Sequence, residues 1–377
     1  MNGRRRATIA AGLATAATLV LSAPTPGLAG ASLGGHTVYV TNSAVDRGTA
    51  ASIARFAINA GGTLAPVDTM GAGQGARGMV FTPDLRFAYL SSDQIEMYRI
   101  GPDGALTRFG ATESPNPFSI AITPNGRTVY VSSPSNDTLS VFAVRPDGGL
   151  TPRGAVDTEA AAPRGVGVTP DGRFLYVSHG RPSDTGPSVI TGFAIRPDGT
   201  PGRRVAKADI GISGADPTIT PNGRFLYVAH LVSNDVHGFR IGRSGALTPV
   251  PGSPVAAGDG PQGAATSPDG SRLYVTAIGA EDSDVSIPGE VLGFTIGPDG
   301  RLTESIDRID MTAPIGIGFA PDGRHLYVSD SFDDIVNTFA VRRDGNLTLV
   351  QTLSSGGPQP KFDSVSVLPT RSGRASR

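Results

Sequence analysis

The sequence Thr169-Pro-Asp-Gly-Arg-Phe-Leu-Tyr-Val-Ser-His179, followed by Phe193-Ala-Ile-Arg-Pro-Asp-Gly199, contains two short apolar strands and two Pro-Asp-Gly turns. Proline presets the first torsion of such a turn, and glycine supplies the left-handed residue that closes a hairpin. The same unit recurs along the chain with a tyrosine at one fixed position, at a mean spacing of 48 residues. These tyrosines are Tyr39, Tyr89, Tyr130, Tyr176, Tyr227, Tyr274 and Tyr327.

A second strand with a recurring aromatic residue follows each tyrosine strand. Its aromatic residues are Phe56, Tyr98, Phe142, Phe193, Phe239, Phe294 and Phe339. With the turns between them, each unit reads as four short antiparallel strands, and seven such units are typical of a β-propeller. The chain lacks Trp, which excludes the Trp-Asp signature of WD40 repeats. The sequence therefore predicts an all-β fold, a seven-bladed β-propeller of four-stranded blades.

The two ends of the repeat array predict how the ring closes. The array begins on a tyrosine strand without a preceding strand, and it ends on Pro360-Lys-Phe-Asp-Ser-Val-Ser-Val-Leu-Pro369, which resembles a lone first strand. We expect this C-terminal strand to complete the first blade and so to remove a sheet edge. An open solenoid, the alternative, would need capping repeats. The predicted propeller domain spans residues 32–369.

Composition excludes several classes of protein. The chain has 377 residues, no Cys and a formal net charge of −1. A disulfide framework, a thiolate nucleophile or a Cys-ligated metal site is therefore impossible, and a nucleic-acid-binding surface is not expected. The 51 Gly and 31 Pro could signal disorder, but a hydrophobic content of 38% is enough to build a core.

The first residues read as a signal peptide. Arg4-Arg5-Arg6 precede an apolar stretch, Ala7 to Ser22, and small residues follow at Ala29-Gly-Ala31. We expect residues 1–31 to be a cleaved leader and the mature protein to be secreted without stable membrane insertion. An uncleaved anchor is the alternative, and Sec or twin-arginine export both remain open. Residues 370–377 are predicted to form a disordered basic tail.

The repeat also predicts which residues surround a central channel. The innermost strand of each blade lines such a channel, and the residue six before the turn proline falls at one depth around the ring. These residues are Arg77, Phe118, Arg164, Ala215, Gln262, Ile315 and Asp363. Asp216 follows the ring position Ala215 directly. Three of the tyrosine strands end on Asn42, His179 and His230. An acid/base or anion-binding cluster at the channel mouth is one interpretation. The other is structural: Asp caps turns, Arg pairs with Asp, and His fills a polar rim.

The repeat Thr-Pro-Asp-Gly-Arg-Phe-Leu-Tyr-Val-Ser-His resembles the lactonase family of seven-bladed propellers, which is related to 6-phosphogluconolactonase, to carboxymuconate cyclase and to the YVTN repeats. The resemblance implies a lactone-opening or lactone-forming site of His, Glu and Arg in the channel mouth, without a metal or another cofactor. Pro163-Arg164 matches the family's Pro-Arg, and Asp216 stands where the family has Glu. Phe118 replaces a family His, Gln262 replaces an Arg, and His179-Gly180 replaces an Asn-Glu pair.

Two functions follow from this partial match. The first is an exported lactonase for a small or sugar lactone, in which Arg164 binds an anionic group and Asp216, together with His179 or His230, transfers protons. Arg77, Gln262, Asp363 and Asn42 are the predicted ligand-binding residues. The alternative is a non-catalytic propeller that binds a carbohydrate, peptide or cell-envelope ligand. Under both hypotheses we expect a monomer that binds a small-molecule or cell-envelope ligand and does not bind nucleic acid.

Two acidic loops, Glu281–Asp284 and Asp330–Asp334, raise the question of calcium. Oxygen-rich loops can hold Ca²⁺, but no EF-hand spacing is present and charged surface loops are common. We therefore predict no metal site. The sequence also lacks a G-x-S-x-G elbow and a phosphate-binding loop before a helix, so it gives no support for serine-hydrolase or nucleotide chemistry.

Overall fold

The computed structural model describes residues 37–44, 48–282 and 285–368, so the predicted leader (1–31) and basic tail (370–377) lie outside the described residues. All regular elements in the described part of the chain are β-strands, and they form seven blades and one small hairpin. The predicted all-β seven-bladed propeller is confirmed. In the described ranges, no helix is long and apolar enough to cross a membrane.

Strands are numbered along the chain and each blade is given from its inner to its outer strand. Blade 1 contains β32 (Pro360–Leu368), β1 (Thr37–Asn42), β2 (Ser52–Ile58) and β3 (Leu64–Gly71). Blade 2 contains β4 (Met79–Phe81), β5 (Phe87–Ser91), β6 (Ile95–Ile100) and β7 (Leu106–Thr112). Blade 3 contains β8 (Ile120–Ile122), β9 (Thr128–Ser133), β10 (Thr138–Val144) and β11 (Leu150–Val156). Blade 4 contains β12 (Pro163–Val168), β13 (Phe174–His179), β14 (Ser188–Ile195) and β15 (Pro201–Ile210).

The last three blades carry the irregular additions. Blade 5 contains β16 (Thr218–Ile219), β17 (Phe225–His230), β18 (Asp235–Ile241) and β19 (Leu247–Pro249), and β20 (Val255–Ala256) also pairs with β18. Blade 6 contains β21 (Pro261–Thr266), β22 (Arg272–Ala277), β25 (Gly289–Ile296) and β26 (Leu302–Glu304), and β27 (Ile309–Met311) also pairs with β25. A separate hairpin joins β23 (Ala280–Asp282) to β24 (Val285–Ile287). Blade 7 contains β28 (Pro314–Phe319), β29 (His325–Asp330), β30 (Ile335–Val341) and β31 (Leu347–Ser354).

The inner strands contact one another in a closed ring around the axis. β32 contacts β4, the contacts continue through β8, β12, β16, β21 and β28, and β28 contacts β32 again. β32 is antiparallel to β1, with Thr37 opposite Leu368 and Val40 opposite Val365. The C-terminal strand therefore completes the first blade, as the sequence predicted.

The recurring tyrosine joins each blade to its neighbour. Every one of the seven side chains is fully buried, and its hydroxyl donates to the carbonyl of the glycine in the outer turn of the next blade. Examples are Tyr176 to Gly245 at 2.8 Å and Tyr227 to Gly300 at 2.8 Å. The last bond, from Tyr327 to Gly62 at 2.9 Å, closes the ring. A buried phenol needs such a partner, which explains why this position is Tyr and not Phe.

Candidate functional site

A cavity of about 1250 Å³ opens on the axis, on the face where the inner strands begin. Six blades contribute to its wall. The residues from the inner strands and the loops before them include Arg77, Phe118, Arg164, Gln262, Ile315 and Phe362. Five of the seven ring positions that the sequence singled out thus line one pocket, because each blade repeats the same strand in the same orientation.

Two guanidinium groups stack on one aromatic ring in this pocket. The guanidinium carbon of Arg77 lies 4.4 Å from the centroid of Phe118, and that of Arg164 lies 5.0 Å from it. Cation–π contact stabilises such an arrangement. Neither guanidinium has a carboxylate oxygen within 4 Å among the described residues.

Arg164 is the more deeply buried of the two arginines, with 6% of its surface exposed. Its Nη1 donates to Ser213 Oγ at 2.7 Å, whereas its buried Nε has no hydrogen-bond partner in the described part of the chain. Burial, and then the charge of Arg77, lowers the pKa of Arg164 to about 10. The side chain is still a cation at neutral pH, with donor capacity left for an anion.

Two carboxyl groups meet beside these cations. Asp363 comes from the closing strand β32 and Asp216 from the loop before β16, and their side chains are hydrogen-bonded to each other. Asp216 also accepts from Ser119 Oγ at 3.0 Å and from the Val166 amide at 3.2 Å. Asp363 adopts a left-handed backbone conformation with φ of 61°, which Asp tolerates better than most residues.

The pKa of each of the two carboxyl groups is raised. Burial is the largest cause of a raised pKa at Asp216, and the adjacent charge of Asp363 raises it further. Burial also raises the pKa of Asp363, but the hydrogen bond from Asp216 and the charges of Arg77 and Arg164 oppose that rise. We therefore assign the proton to Asp216 and the negative charge to Asp363, since two adjacent carboxylates do not both ionise readily. With two arginines and one carboxylate charge, this group of four side chains carries a net positive charge.

His179 does not line the pocket. Its side chain is buried, its Nδ1 lies 3.0 Å from the Ala161 carbonyl oxygen, and its Nε2 lies 2.9 Å from Thr191 Oγ1. Both ring nitrogens thus have partners within blade 4. Burial lowers the pKa of His179 to about 4, so the ring is neutral at physiological pH.

A His179→Ala substitution is expected to lower the free energy of unfolding by about 2–4 kcal/mol, because it leaves a cavity and two unpaired polar groups. In the wild type, the stabilisation from His179 is complete above pH 6.5 and is lost as the pH falls to about 4, because the unfolded chain then binds a proton that the folded chain excludes. Urea denaturation of both proteins at several pH values measures this. An equal loss of stability with pH in both proteins would contradict the assignment.

His230 and Asn42 also lie outside the residues that line the pocket. His230 Nδ1 lies 2.8 Å from Asp235 Oδ1, and the Asn42 amide donates to the Ser355 carbonyl at 3.0 Å. Of the predicted residues, Arg77, Arg164 and Gln262 line the pocket, whereas Asp216 and Asp363, which form the carboxyl pair beside the two arginines, are not among its lining residues. The catalytic role of each remains a prediction.

The structure adds pocket residues that the sequence reasoning did not name. Lys361 and Phe362 precede Asp363 in the closing strand, and Arg181 and Phe332 reach the wall from loops. The sequence could have predicted Lys361 and Phe362 as pocket residues, because they stand directly before the predicted ring position Asp363. The loop residues had no such signal, because loop length varies between blades.

The second acidic loop is held by protein donors. Asp330 accepts hydrogen bonds from the amides of Ala313, Phe332 and Asp333, and Asp334 accepts one from the Gln359 amide at 2.6 Å. Backbone amides therefore hold the side chains of Asp330 and Asp334 in place. The side chains of Glu281–Asp284 lie outside the described residues.

Comparison with known proteins agrees with the fold. The chain matches the family described as "Lactonase, 7-bladed beta-propeller" over residues 43–197 and 189–365. A 6-phosphogluconolactonase of Cronobacter sakazakii is 26% identical over 291 residues, covering 72% of this chain and 80% of the relative. One of Klebsiella pneumoniae is 25% identical over 283 residues, covering 72% and 81%. The structure of a periplasmic gluconolactonase of Pseudomonas aeruginosa superposes with a TM-score of 0.70 at 19% identity, covering 89% of this chain and 99% of that one. The chain belongs to the lactonase family of seven-bladed β-propellers.

Proposed function

We propose that this protein is a lactonase that hydrolyses a small sugar-type lactone carrying a phosphate or carboxylate group. The observation that carries the proposal is that the guanidinium groups of Arg77 and Arg164 lie on Phe118 without a salt bridge among the described residues, beside two carboxyl groups whose pKa burial raises. The names of the curated relatives, 6-phosphogluconolactonase, support the same class of substrate.

The arginines bind and orient the substrate in this proposal. Arg164 has a buried Nε without a partner among the described residues, and Arg77 lines the same pocket, so an anionic group that reaches both guanidinium groups would receive charge-assisted hydrogen bonds. The pocket is large enough for a phosphorylated sugar with bound water. The anionic group thereby fixes the lactone carbonyl relative to the carboxyl pair.

The carboxyl pair then supplies the acid and the base. Asp363 accepts a proton from a water molecule as the water oxygen attacks the lactone carbonyl carbon. The bond between that carbon and the ring oxygen breaks, and Asp216 gives its proton to the ring oxygen, which becomes a hydroxyl group. Asp363 now holds the proton from water, and transfer across the hydrogen bond returns the pair to its starting state. The net reaction is lactone plus water to hydroxy acid.

The test is hydrolysis of a panel of neutral, carboxylated and phosphorylated sugar lactones, and the rate is measured from the acid that hydrolysis releases. We expect the wild type to prefer the anionic lactones, and Arg164→Ala to lower kcat/KM for them by about 100-fold. The loss should be smaller for neutral lactones, because they lack the group that Arg164 binds. Arg127→Ala is the matched control, since Arg127 is exposed in a turn at the far end of blade 3.

Background rates on every lactone with the wild type would overturn the proposal. The same panel, read by thermal shift, would then show whether the pocket binds such ligands without turning them over. An equal loss for neutral and anionic lactones in Arg164→Ala would contradict the anion-binding role of Arg164 while leaving hydrolysis intact.

A further inference from the structure

Three potential metal ligands lie on one face of the β17–β18 hairpin in blade 5. His230 ends β17 and stands opposite Asp235, and His237 stands two residues further along β18, opposite Val228. Because side chains alternate across a strand, His230, Asp235 and His237 all project from the same side. None of the three lines the central pocket.

The ligand atoms of these residues are closely grouped. His230 Nδ1 lies 2.8 Å from Asp235 Oδ1, and His237 Nε2 lies 3.6 Å from Asp235 Oδ2. The two imidazole rings are 4.8 Å apart, centroid to centroid, in an edge-on arrangement. All three ligand atoms fall within 4.8 Å of one another, and within the described ranges no other group of three or more His, Asp or Glu side chains does so. Four tetrahedral metal–ligand bonds of about 2.0–2.2 Å hold the ligand atoms roughly 3.3–3.6 Å apart, so a bound ion requires the three side chains to shift by about 1 Å from the positions described.

His230 is the most deeply buried member of the group. Its ring is fully buried, and its Nδ1 faces Asp235 Oδ1. Nδ1 is therefore the nitrogen that lies among the ligand atoms. Gly211 borders the group, since a Cβ there would lie 2.7 Å from both the His230 ring and Asp235 Oδ1.

A second layer of hydrogen bonds orients the central carboxylate. Ser233 Oγ donates to Asp235 Oδ1 at 3.2 Å and accepts from the Ile212 amide at 2.9 Å. Such outer contacts are typical of carboxylates that ligate a metal. The side chains of Asp235 and His237 are each 19% exposed, so a cation has a path to the group and water can complete its coordination.

We propose that His230, Asp235 and His237 form a binding site for a divalent transition-metal ion, with Zn²⁺ as the ion of reference. Two imidazole nitrogens and one carboxylate favour Zn²⁺, Cu²⁺ or Ni²⁺ over Ca²⁺ or Mg²⁺, which prefer oxygen ligands. Binding displaces the proton that otherwise lies between His230 and Asp235. The proposal departs from the sequence-based expectation of no metal site, and it is independent of the proposed lactonase activity.

The experiment is equilibrium dialysis of the full chain, without a polyhistidine tag, against ZnCl₂. We expect one Zn²⁺ per chain for the wild type, and at least a tenfold weaker affinity for His237→Ala and for Asp235→Asn. His325→Ala is the matched control, because His325 and Asp322 form another His–Asp pair, 3.5 Å apart, without a third ligand. Saturating Zn²⁺ should raise the Tm of the wild type by about 3 °C.

Co²⁺ substitution keeps the proposal testable even if a variant folds poorly. The wild type loaded with Co²⁺ should show visible ligand-field bands that His237→Ala lacks. Absence of stoichiometric Zn²⁺ binding by the wild type would overturn the proposal, as would a loss in His325→Ala equal to that in His237→Ala. In either case the group would be a hydrogen-bonded His–Asp–His cluster only.

Discussion

A chain that ends at Gln359, and so lacks β32, is expected not to fold cooperatively at any temperature. Phe362, Val365 and Leu368 of this strand are buried, and burying each side chain contributes about 1.5–3 kcal/mol. Removing the strand also exposes the inner edge of β1, whose Val38 and Val40 are fully buried. These losses together are comparable to the whole free energy of unfolding of a domain, about 5–15 kcal/mol.

The loss extends beyond blade 1 because the ring depends on its closure. β32 contacts β4 of blade 2 and β28 of blade 7, and Ser364 of this strand is hydrogen-bonded to Ser329 of blade 7 at 2.8 Å. Without β32, the inner edges of three blades lose their neighbour at once. Circular dichroism with thermal scanning measures the effect, and the expected trace for the truncated chain has no sigmoidal transition.

Two control proteins distinguish the effect of losing β32 from the effect of shortening the chain. A chain that ends at Pro369 removes residues 370–377 alone and should keep the wild-type Tm. A second protein moves residues 360–368 in front of Thr37 through a Pro-Asn-Gly-Arg turn copied from residues 124–127. This turn fits because Leu368 already stands opposite Thr37, as Thr123 stands beside Thr128 across the equivalent turn. The permuted protein should regain cooperative unfolding, and its failure to do so would contradict the closure role of β32.

The fold could be predicted from the sequence because its information is local and repeated. Each Pro-Asp-Gly turn specifies a hairpin by itself, and seven copies of one unit leave few arrangements other than a ring. What the sequence could not show is why tyrosine recurs. The bond from Tyr176 to Gly245 joins residues of neighbouring blades, and this pairing is visible only when the blades are stacked.

The sequence could predict only those site residues whose place in the pocket follows from their position in the repeat. Arg77, Arg164 and Gln262 reach the pocket because they belong to the innermost strand of a blade or to the loop before it. His179 ends the second strand, where the side chain packs against its own blade at Ala161 and Thr191. The partnership of Asp216 with Asp363 joins loop and closing strand across the channel. No spacing in the sequence encodes that contact.

An Asp363→Asn substitution is expected to lower kcat for an anionic lactone by about 1,000-fold, because in the proposed mechanism it removes the general base. An amide can still accept the hydrogen bond from Asp216, so the pocket should keep its shape and KM should change little. Asp171→Asn is the control, since Asp171 occupies a turn position that holds Asn125 and Asn222 in blades 3 and 5. The measurement is steady-state hydrolysis with the preferred lactone from the panel.

The pH dependence of activity tests whether Asp363 is the general base and Asp216 the general acid. The active form of the wild type holds one proton on the pair, so kcat/KM should fall at low pH when Asp363 is protonated and at high pH when Asp216 loses its proton. In Asp216→Asn the alkaline fall should disappear, because the amide cannot ionise, while the acid fall remains. This variant should also be more stable than the wild type at alkaline pH, since the raised pKa of Asp216 means that its ionisation opposes folding there. An alkaline fall retained in Asp216→Asn would assign the acid to another group, and full activity in Asp363→Asn would remove the carboxyl pair from the mechanism.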